Sequence, residues 1–497
     1  MIERSGASEV GGRKEVWRAV DDLCGHTAVS VGYRLALQVM FVRCTSRSSA
    51  PGVESTGNRR QVVVEPWALL VAASKDEGTR AGFGSMERVL REAWQVGIGR
   101  SVGSEAGAGI GEANLSTVAD RQLAELVACV EAAEGPHELF AACLDRFSRR
   151  LGRGGDYFTP RGVSRLMVAV ADPRGGERIL DPVCGSAGLL VDAARAAGTR
   201  SSDGGRVRLH GRDVNVEARL VAAMNLALHS LEADLGPSAV DSLLTGPTRV
   251  GCDVVLANPP FGTKSWGHDA LAADERWRWG TPPPGNADFA WIQHVLAELC
   301  DRGRAVVLLG DGAAKSVRTG EREIRGHLVG SDMVAAVVAL PAHLFPHSPV
   351  SACLWFLSRD KRAHPRWGRT GRTDQILFVN ARALERRDGK GRRSLGDADI
   401  ERVRRTFSMW RGSDADSGAG ALSDVEEYAD ESGWCRSVSR REVEAAGWDL
   451  SPALHVPPRA EASEGTDAPA ALRNALYGHF ADASSLDRTL RRVLGNA

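Results

Sequence analysis

Long apolar runs, metal-binding cysteine patterns and an excess charge of either sign are all missing from these 497 residues. The longest apolar run near the N-terminus, Val31 to Val42, is broken by Arg34 and Gln38. It falls short of the roughly 18 residues that cross a bilayer, so no membrane role is expected, and no signal peptide precedes it. Nine cysteines are present without a CxxC pair or metal-ligand spacing, so they read as reduced thiols of a cytoplasmic protein, mostly small core residues, and no metal is expected. Lys+Arg 63 balances Asp+Glu 63, which excludes a chain coated in basic surface; any nucleic-acid contact has to come from a local patch or a partner. Lysine occurs at only six positions, a bias read as compositional. At 43% hydrophobic and 25% charged residues, the chain is neither disordered nor collagen-like nor a disulfide miniprotein.

The length implies two or three domains. Residues 1–150 carry helical periodicity, in Trp17 to Val42 and Leu115 to Phe147, and read as a helical N-terminal domain. From Arg178 onward short buried-strand runs appear at Ile179–Leu180, Val207–His210, Val254–Ala257, Ala305–Leu309, Val334–Leu340 and Cys353–Leu357. Helix-like segments such as Val214–Leu231, Phe289–Leu299 and Glu321–Leu328 lie between them. This α/β alternation predicts a Rossmann-like parallel sheet with helices on both faces over residues 151–390. The last two runs, joined by the Pro/His-rich stretch Pro341–Pro349, are expected to form a hairpin at the sheet edge. Residues 391–497 read as an extension: an acidic, Gly/Ser-rich loop at Gly412–Gly433, a linker at Pro457–Pro469 and a terminal helix from about Ala470 to Leu494.

Three strand ends carry chemistry. Ile179-Leu-Asp-Pro-Val-Cys-Gly-Ser-Ala-Gly188 is a strand, an acid (Asp181), then a small-residue loop opening a helix, the place where ligands of doubly wound sheets meet backbone. A tight strand-to-helix turn needs the same residues, and the loop has neither Gly-Lys-Ser/Thr nor a full GxGxxG. Asp213 ends the next strand 25 residues after Gly188 and can accept from both hydroxyls of a ribose. Asp241 either faces the base of such a ligand or caps a helix. The strand Asp253–Ala257 runs into Asn258-Pro259-Pro260-Phe261. The prolines remove two N–H donors, Asn258 adds a carbonyl acceptor and Phe261 a flat face. Together they suit a planar ring with an exocyclic amino group, although an Asn-Pro turn with Phe261 in the core would look the same.

As an ordered set these motifs resemble the gamma-arranged N6-adenine DNA methyltransferases, in particular the modification subunits of type I restriction-modification systems. The resemblance begins at Gly155-Asp-Tyr-Phe-Thr-Pro160, passes through the loop, Asp213, Asp241 and Asn258–Phe261, and continues in Asn286-Ala-Asp-Phe289, Gly320-Glu-Arg-Glu-Ile324 and Gly447-Trp-Asp-Leu-Ser-Pro452. It implies an S-adenosylmethionine-dependent enzyme (a methyltransferase of the EC 2.1.1.72 type) acting on a flipped adenine of double-stranded DNA. Asn258, Pro259, Pro260 and Phe261 would be catalytic. Tyr157, Phe158, Thr159, Pro160, Asp181, Cys184, Gly185, Ser186, Gly188, Asp213 and Asp241 would bind the cofactor. It also implies a separate specificity subunit and, in a complete system, a restriction nuclease subunit. Two departures stand out: Ala187 replaces the usual second loop glycine, and Phe261 stands where tyrosine is also common. A solitary methyltransferase and a catalytically silent scaffold are the competing readings. For DNA contact, Trp266, Trp277 and Trp279 interleaved with Lys264, Arg276 and Arg278 suggest either a strand contact or packing of a long loop. Arg359 to Arg372, with six cationic residues, suggests either a phosphate patch or a solvated loop.

Overall fold

The computed structural model describes residues 6–458 apart from 47–51, 57–58, 64, 77–84, 102–116, 152–158, 201–204, 346–350, 385–393 and 414–426. Helices Gly6–Gly25, Val29–Thr45, Pro66–Lys75, Met86–Ser101, Thr117–Ala132 and Pro136–Leu151 form an N-terminal bundle, and β1 (Gly52–Thr56) and β2 (Arg59–Val63), between its second and third helices in sequence, form a two-stranded antiparallel pair. The broken apolar run of the sequence is the central helix, buried continuously from Gly32 to Val42. A helix apolar on all sides belongs inside a bundle. Its neighbours supply large aromatics: Phe41 meets Trp94 with ring centroids 4.9 Å apart. No helix among the described residues is long and apolar enough to cross a membrane.

The second body is a nine-stranded sheet built from β3 (Arg178–Asp181), β4 (Arg208–Gly211), β5 (Ala233–Asp234), β6 (Cys252–Ala257), β7 (Leu299–Gly310), β8 (Val334–Ala339), β9 (Ala352–Ser358), β10 (Gln375–Asn380) and β11 (Cys435–Ser439). The order is β11-β10-β8-β9-β7-β6-β3-β4-β5, parallel except for β9 and β11. Alternation with period two divides the strand residues between two cores. Ile179, Val254, Leu256, Val306, Leu308 and Phe356 face one side with helices Arg161–Ala171 and Asp397–Arg411. Leu180, Val255, Ala257, Val307, Leu309 and Trp355 face the other with helices Asp288–Glu298 and Thr319–Gly330. This is the doubly wound sheet expected from the alternation of strands and helices.

Two expectations change. The β8–β9 pair is antiparallel as expected but interior, because β10, with the apolar stretch Ile376–Val379, pairs parallel to β8 and β11 then covers β10. The boundary at residue 390 moves for the same reason. Helix Asp397–Arg411 and β11 share the hydrophobic cores of the sheet through Ile400, Phe407, Trp410 and Val438, so the described residues between 395 and 458 belong to the same body as the sheet. The expected terminal helix, most of the linker and part of the acidic loop lie outside the described residues.

The sheet reverses direction of winding between β3 and β6: from β3 the chain goes outward to β4 and β5, then returns to β6 on the other side. Crevices form beyond the carboxyl ends of strands at such a switch point. Asp181 ends β3 and Asn258 follows β6 there.

Candidate active site

A cavity of about 350 Å³ opens at this switch point. Gly185, Ser186, Asp213, Asp241 and Asn258 line it together with apolar Pro182, Val183, Val240, Leu243 and Trp291. Asp213 organises the floor. Its two carboxylate oxygens accept from Gly185 N and from Asn215 N, each at 2.8 Å, so one side chain holds the small-residue loop against the start of the next helix. Asn215 in turn caps helix Val216–Leu228 by accepting from Glu217 N and Ala218 N. Asn225, buried on that helix, donates to Ser186 O at 2.9 Å and clamps the loop from below. Asp241 Oδ1 caps the short helix Ser242–Thr245, and the residue also lines the cavity.

Asp181 lies just under the lining, 1% exposed, accepting from Val183 N at 3.0 Å. Burial pushes its carboxyl up to about 8; the Val183 N–H pulls the other way and the nearby Asp213 adds to the rise. Cys184 turns into the core, and burial drives its thiol well above the usual range, which keeps it a neutral packing residue. Ala187 has φ +59°, the left-handed region that glycine adopts freely, and its methyl is fully buried in the core, away from the cavity. What this departure from glycine brings is therefore backbone strain, not a methyl in the cavity. Gly185, at φ +50°, has nothing within 4 Å of where a Cβ would sit, so the open side of the loop is at this residue.

At the end of β6, Asn258 and Pro259 are buried and Asn258 Nδ2 donates to Thr159 Oγ1 at 2.9 Å. Asn258 Oδ1 is buried and accepts no hydrogen bond among the described residues. A buried acceptor without a partner is costly and calls for an explanation. Pro260 O is occupied by Thr263 Oγ1 at 3.0 Å. Phe261 meets Phe345 edge-on, with centroids 5.7 Å apart. The loop is buttressed by Asp288, which is buried and accepts from Gly262 N at 3.0 Å and from Asn286 Nδ2 at 3.3 Å. Asn286 also donates to Glu321 at 3.3 Å, so two motif fragments far apart in sequence meet behind the same loop.

Of the residues expected at the cofactor, Gly185, Ser186, Asp213 and Asp241 line the cavity, Asp181 lies beneath it, and Cys184, Gly188, Thr159 and Pro160 do not line it. Tyr157 and Phe158 fall outside the described residues. Phe147, Trp266 and Phe345 were not foreseen at the site. Phe147 reaches the cavity from the N-terminal bundle, which packs Leu220, Val221 and Met224 of helix Val216–Leu228 into its own core. Trp266 had a local signal, in the aromatic and basic loop after Phe261, and Phe345 stands in the Pro/His-rich stretch beside a strand end. Among the described residues no three His, Cys, Asp or Glu side chains are grouped to hold a metal ion.

Both candidate nucleic-acid patches are partly built into the protein. Arg276 is 2% exposed, bonded to Asp274, Leu243 O and His294, and Trp266 and Trp277 meet edge-on at 5.8 Å, so these three side chains are interior packing, whereas Lys264 and Arg278 are exposed. The Arg359–Arg372 segment follows β9, which runs antiparallel to β7, and so lies at the opposite end of the sheet from the cavity. Lys361 there is buried on Val334 O and Gln375 O, Arg366 pairs with Asp253, and Arg372 donates to Trp410 O.

Residues 138–464 match the model of the N-6 DNA Methylase family. The type I restriction enzyme HindI methylase subunit of Haemophilus influenzae is 32% identical over 358 residues, 71% of this chain and 76% of that protein. The MjaIX methylase subunit of Methanocaldococcus jannaschii is 29% identical over 322 residues, 63% of this chain and 54% of its own length. In fold, a type I restriction-modification methyltransferase subunit from Streptococcus thermophilus superimposes with TM-score 0.63 at 18% identity, covering 89% of this chain and 98% of that one.

Proposed function

The chain belongs to the N-6 DNA methylase family, and from that premise we propose that its switch-point cavity binds S-adenosylmethionine while Asn258 and Pro259 receive the amino group of a flipped adenine. The activity is adenine-N6 methylation of DNA, in the role of a type I modification subunit. The residues present fit the cofactor. A carboxylate at the end of β4 suits ribose hydroxyls, apolar walls suit a purine, and the open Gly185 lets the ligand approach backbone. When bound, that molecule supplies a methyl group already activated on a sulfonium.

The single observation that carries the reading is the buried, unpartnered Asn258 Oδ1. An adenine amino group supplies two N–H donors. Asn258 Oδ1 accepts one and the Pro259 carbonyl the other, which draws the nitrogen lone pair out of ring conjugation and aims it away from the acceptors. Pro260 O, already taken by Thr263, has no part in this. Extruding the base costs a few kcal/mol, and stacking on Phe261, whose ring is held by Phe345, offsets part of it. Preorganised acceptors and orientation then lower the barrier without a covalent nucleophile, which agrees with a buried, neutral Cys184.

The chain works with a separate specificity subunit, in the cytoplasm where the chromosomal substrate lies. Reading sequence needs side chains in a groove of DNA, and phosphate contacts cannot supply it. Among the described residues the helices and strands belong to the bundle, to the small β1–β2 pair or to the sheet with its helices, and helix Asp397–Arg411 and β11 are part of that sheet body. Methylation of plasmid DNA by the chain alone, compared with the chain plus specificity subunit, tests this. The expectation is site-specific N6-methyladenine only with the partner; robust site-specific methylation by the chain alone would favour a solitary enzyme.

A further inference from the structure

A side-chain amide presents an oxygen on one side and an NH2 on the other, and a half-turn exchanges them with little change in shape. The reading of Asn258 above uses one of the two orientations, oxygen toward the target amino group. In that orientation the NH2 points into protein where Asn258 is 5% exposed. Without an acceptor there it would be a buried unsatisfied donor, and the amide would do as well turned over, opposing donor to donor at the substrate. The acceptor present is Thr159 Oγ1, at 2.9 Å from Nδ2 and 99 residues away in the chain.

We propose that Thr159 is a positioning residue for Asn258, completing the NH2 side of its amide so that Oδ1 stays free and aimed at the amino group to be methylated. The proposal rests on the reading of Asn258 as the acceptor. A hydroxyl can also donate, so it is the substrate's own N–H that selects the oxygen-forward orientation; Thr159 makes that orientation free of a buried penalty. Its position fits a role exerted through Asn258. Thr159 does not line the cavity. Its placement is set by helix Arg161–Ala171, where Gly162 lies so close to the backbone of Leu395 that a Cβ would come within 2.9 Å of Leu395 O.

The test uses the full chain assembled with its specificity subunit and compares Thr159→Val, which keeps the shape and removes the acceptor, with Thr159→Ser, which keeps the hydroxyl. Single-turnover methylation rate, affinity for S-adenosylmethionine and thermal midpoint are read on each. Thr159→Val is expected to slow methyl transfer about tenfold or more with cofactor affinity within about twofold, and Thr159→Ser to recover to within about threefold of the parent rate. A Thr159→Val variant that methylates at the parent rate, or one that loses cofactor affinity while keeping its rate, overturns the proposal. So does a Thr159→Ser variant as slow as Thr159→Val. Asn258→Ala run alongside separates the two levels. If it is inactive while Thr159→Val is fully active, only the role of Thr159 falls. If Asn258→Ala is itself active, the reading of Asn258 falls first.

Discussion

Replacing Ala187 with glycine tests the geometry of the cofactor loop more sharply than deleting a ligand. The residue sits at φ +59° with its N–H on Cys184 O at 2.7 Å and its carbonyl accepting from Val191 N at 3.0 Å, so the bonds that hold it there do not depend on the side chain. A left-handed conformation costs an L-residue about 1–2 kcal/mol, which glycine would not incur. Against this, glycine has more freedom in the unfolded chain, a loss of about 0.4–1 kcal/mol. The buried methyl, fully enclosed in the core, contributes roughly 0.8 kcal/mol. The three nearly cancel, so Ala187→Gly should change stability by less than about 1 kcal/mol, a shift of only a few degrees in thermal midpoint. Ala187→Val, by contrast, forces a β-branched residue into the left-handed region and overfills the core, and should destabilise by about 2 kcal/mol or more. Because the methyl points away from the cavity, affinity for S-adenosylmethionine should stay within about twofold in the glycine variant, well under the 1.4 kcal/mol that a tenfold change represents. Differential scanning calorimetry with and without cofactor, plus titration calorimetry, measures all three. A tenfold gain in affinity on removing the methyl, or a valine variant as stable as the parent, would refute the placement of this residue.

Asp213→Ala should weaken cofactor binding by about 1.5–3 kcal/mol for a lost charge-assisted bond, and at the upper end because Gly185 N loses its acceptor too; unchanged affinity in a folded variant would reduce Asp213 to a strand-end acid. Asp181 yields a pH prediction. Its carboxyl is raised to about 8 in the folded chain, so between the ordinary carboxylate range and pH 8 the folded state holds a proton that the unfolded state has released. Its contribution to stability is therefore present at low pH and is lost as pH rises towards 8, with a limiting slope of about 1.4 kcal/mol per pH unit. The difference in stability between parent and Asp181→Asn, followed by denaturant unfolding from pH 5 to 8.5, should carry this slope, and parallel curves for the two proteins would contradict it.

The strand ends were legible because they obey local rules. Asp181, Asp213 and Asn258 each follow a short apolar run, and the topology of a doubly wound sheet brings such ends to one edge whatever the loops do. The outer strands were harder to see. Gln375–Asn380 follows an arginine-rich segment, and Cys435–Ser439 carries only one fully enclosed apolar side chain, Val438, so neither gives a strong period-two pattern. Residues whose value lies in a distant partner left no local trace: Asp288 beneath Gly262, Asn225 beneath Ser186 and Phe147 arriving from another domain. Charge patterns left alternatives open for a physical reason. Arginine near tryptophan looks the same whether it stacks on a nucleic acid or, as with Arg276 over Trp277 at 4.9 Å, inside the protein. The sign of φ at Ala187 is invisible in sequence, since alanine there gives no hint of the conformation that glycine would have announced.

The central claim is that the unpartnered oxygen of Asn258 is the acceptor that prepares the target amino group. The direct measurement is methyl transfer and S-adenosylmethionine binding on one preparation of Asn258→Ala, assembled with the specificity subunit and checked for an unchanged thermal midpoint. Loss of one preorganised acceptor predicts a rate roughly 100- to 1000-fold lower with cofactor affinity essentially retained. Methylation of adenine at close to the parent rate would contradict the account.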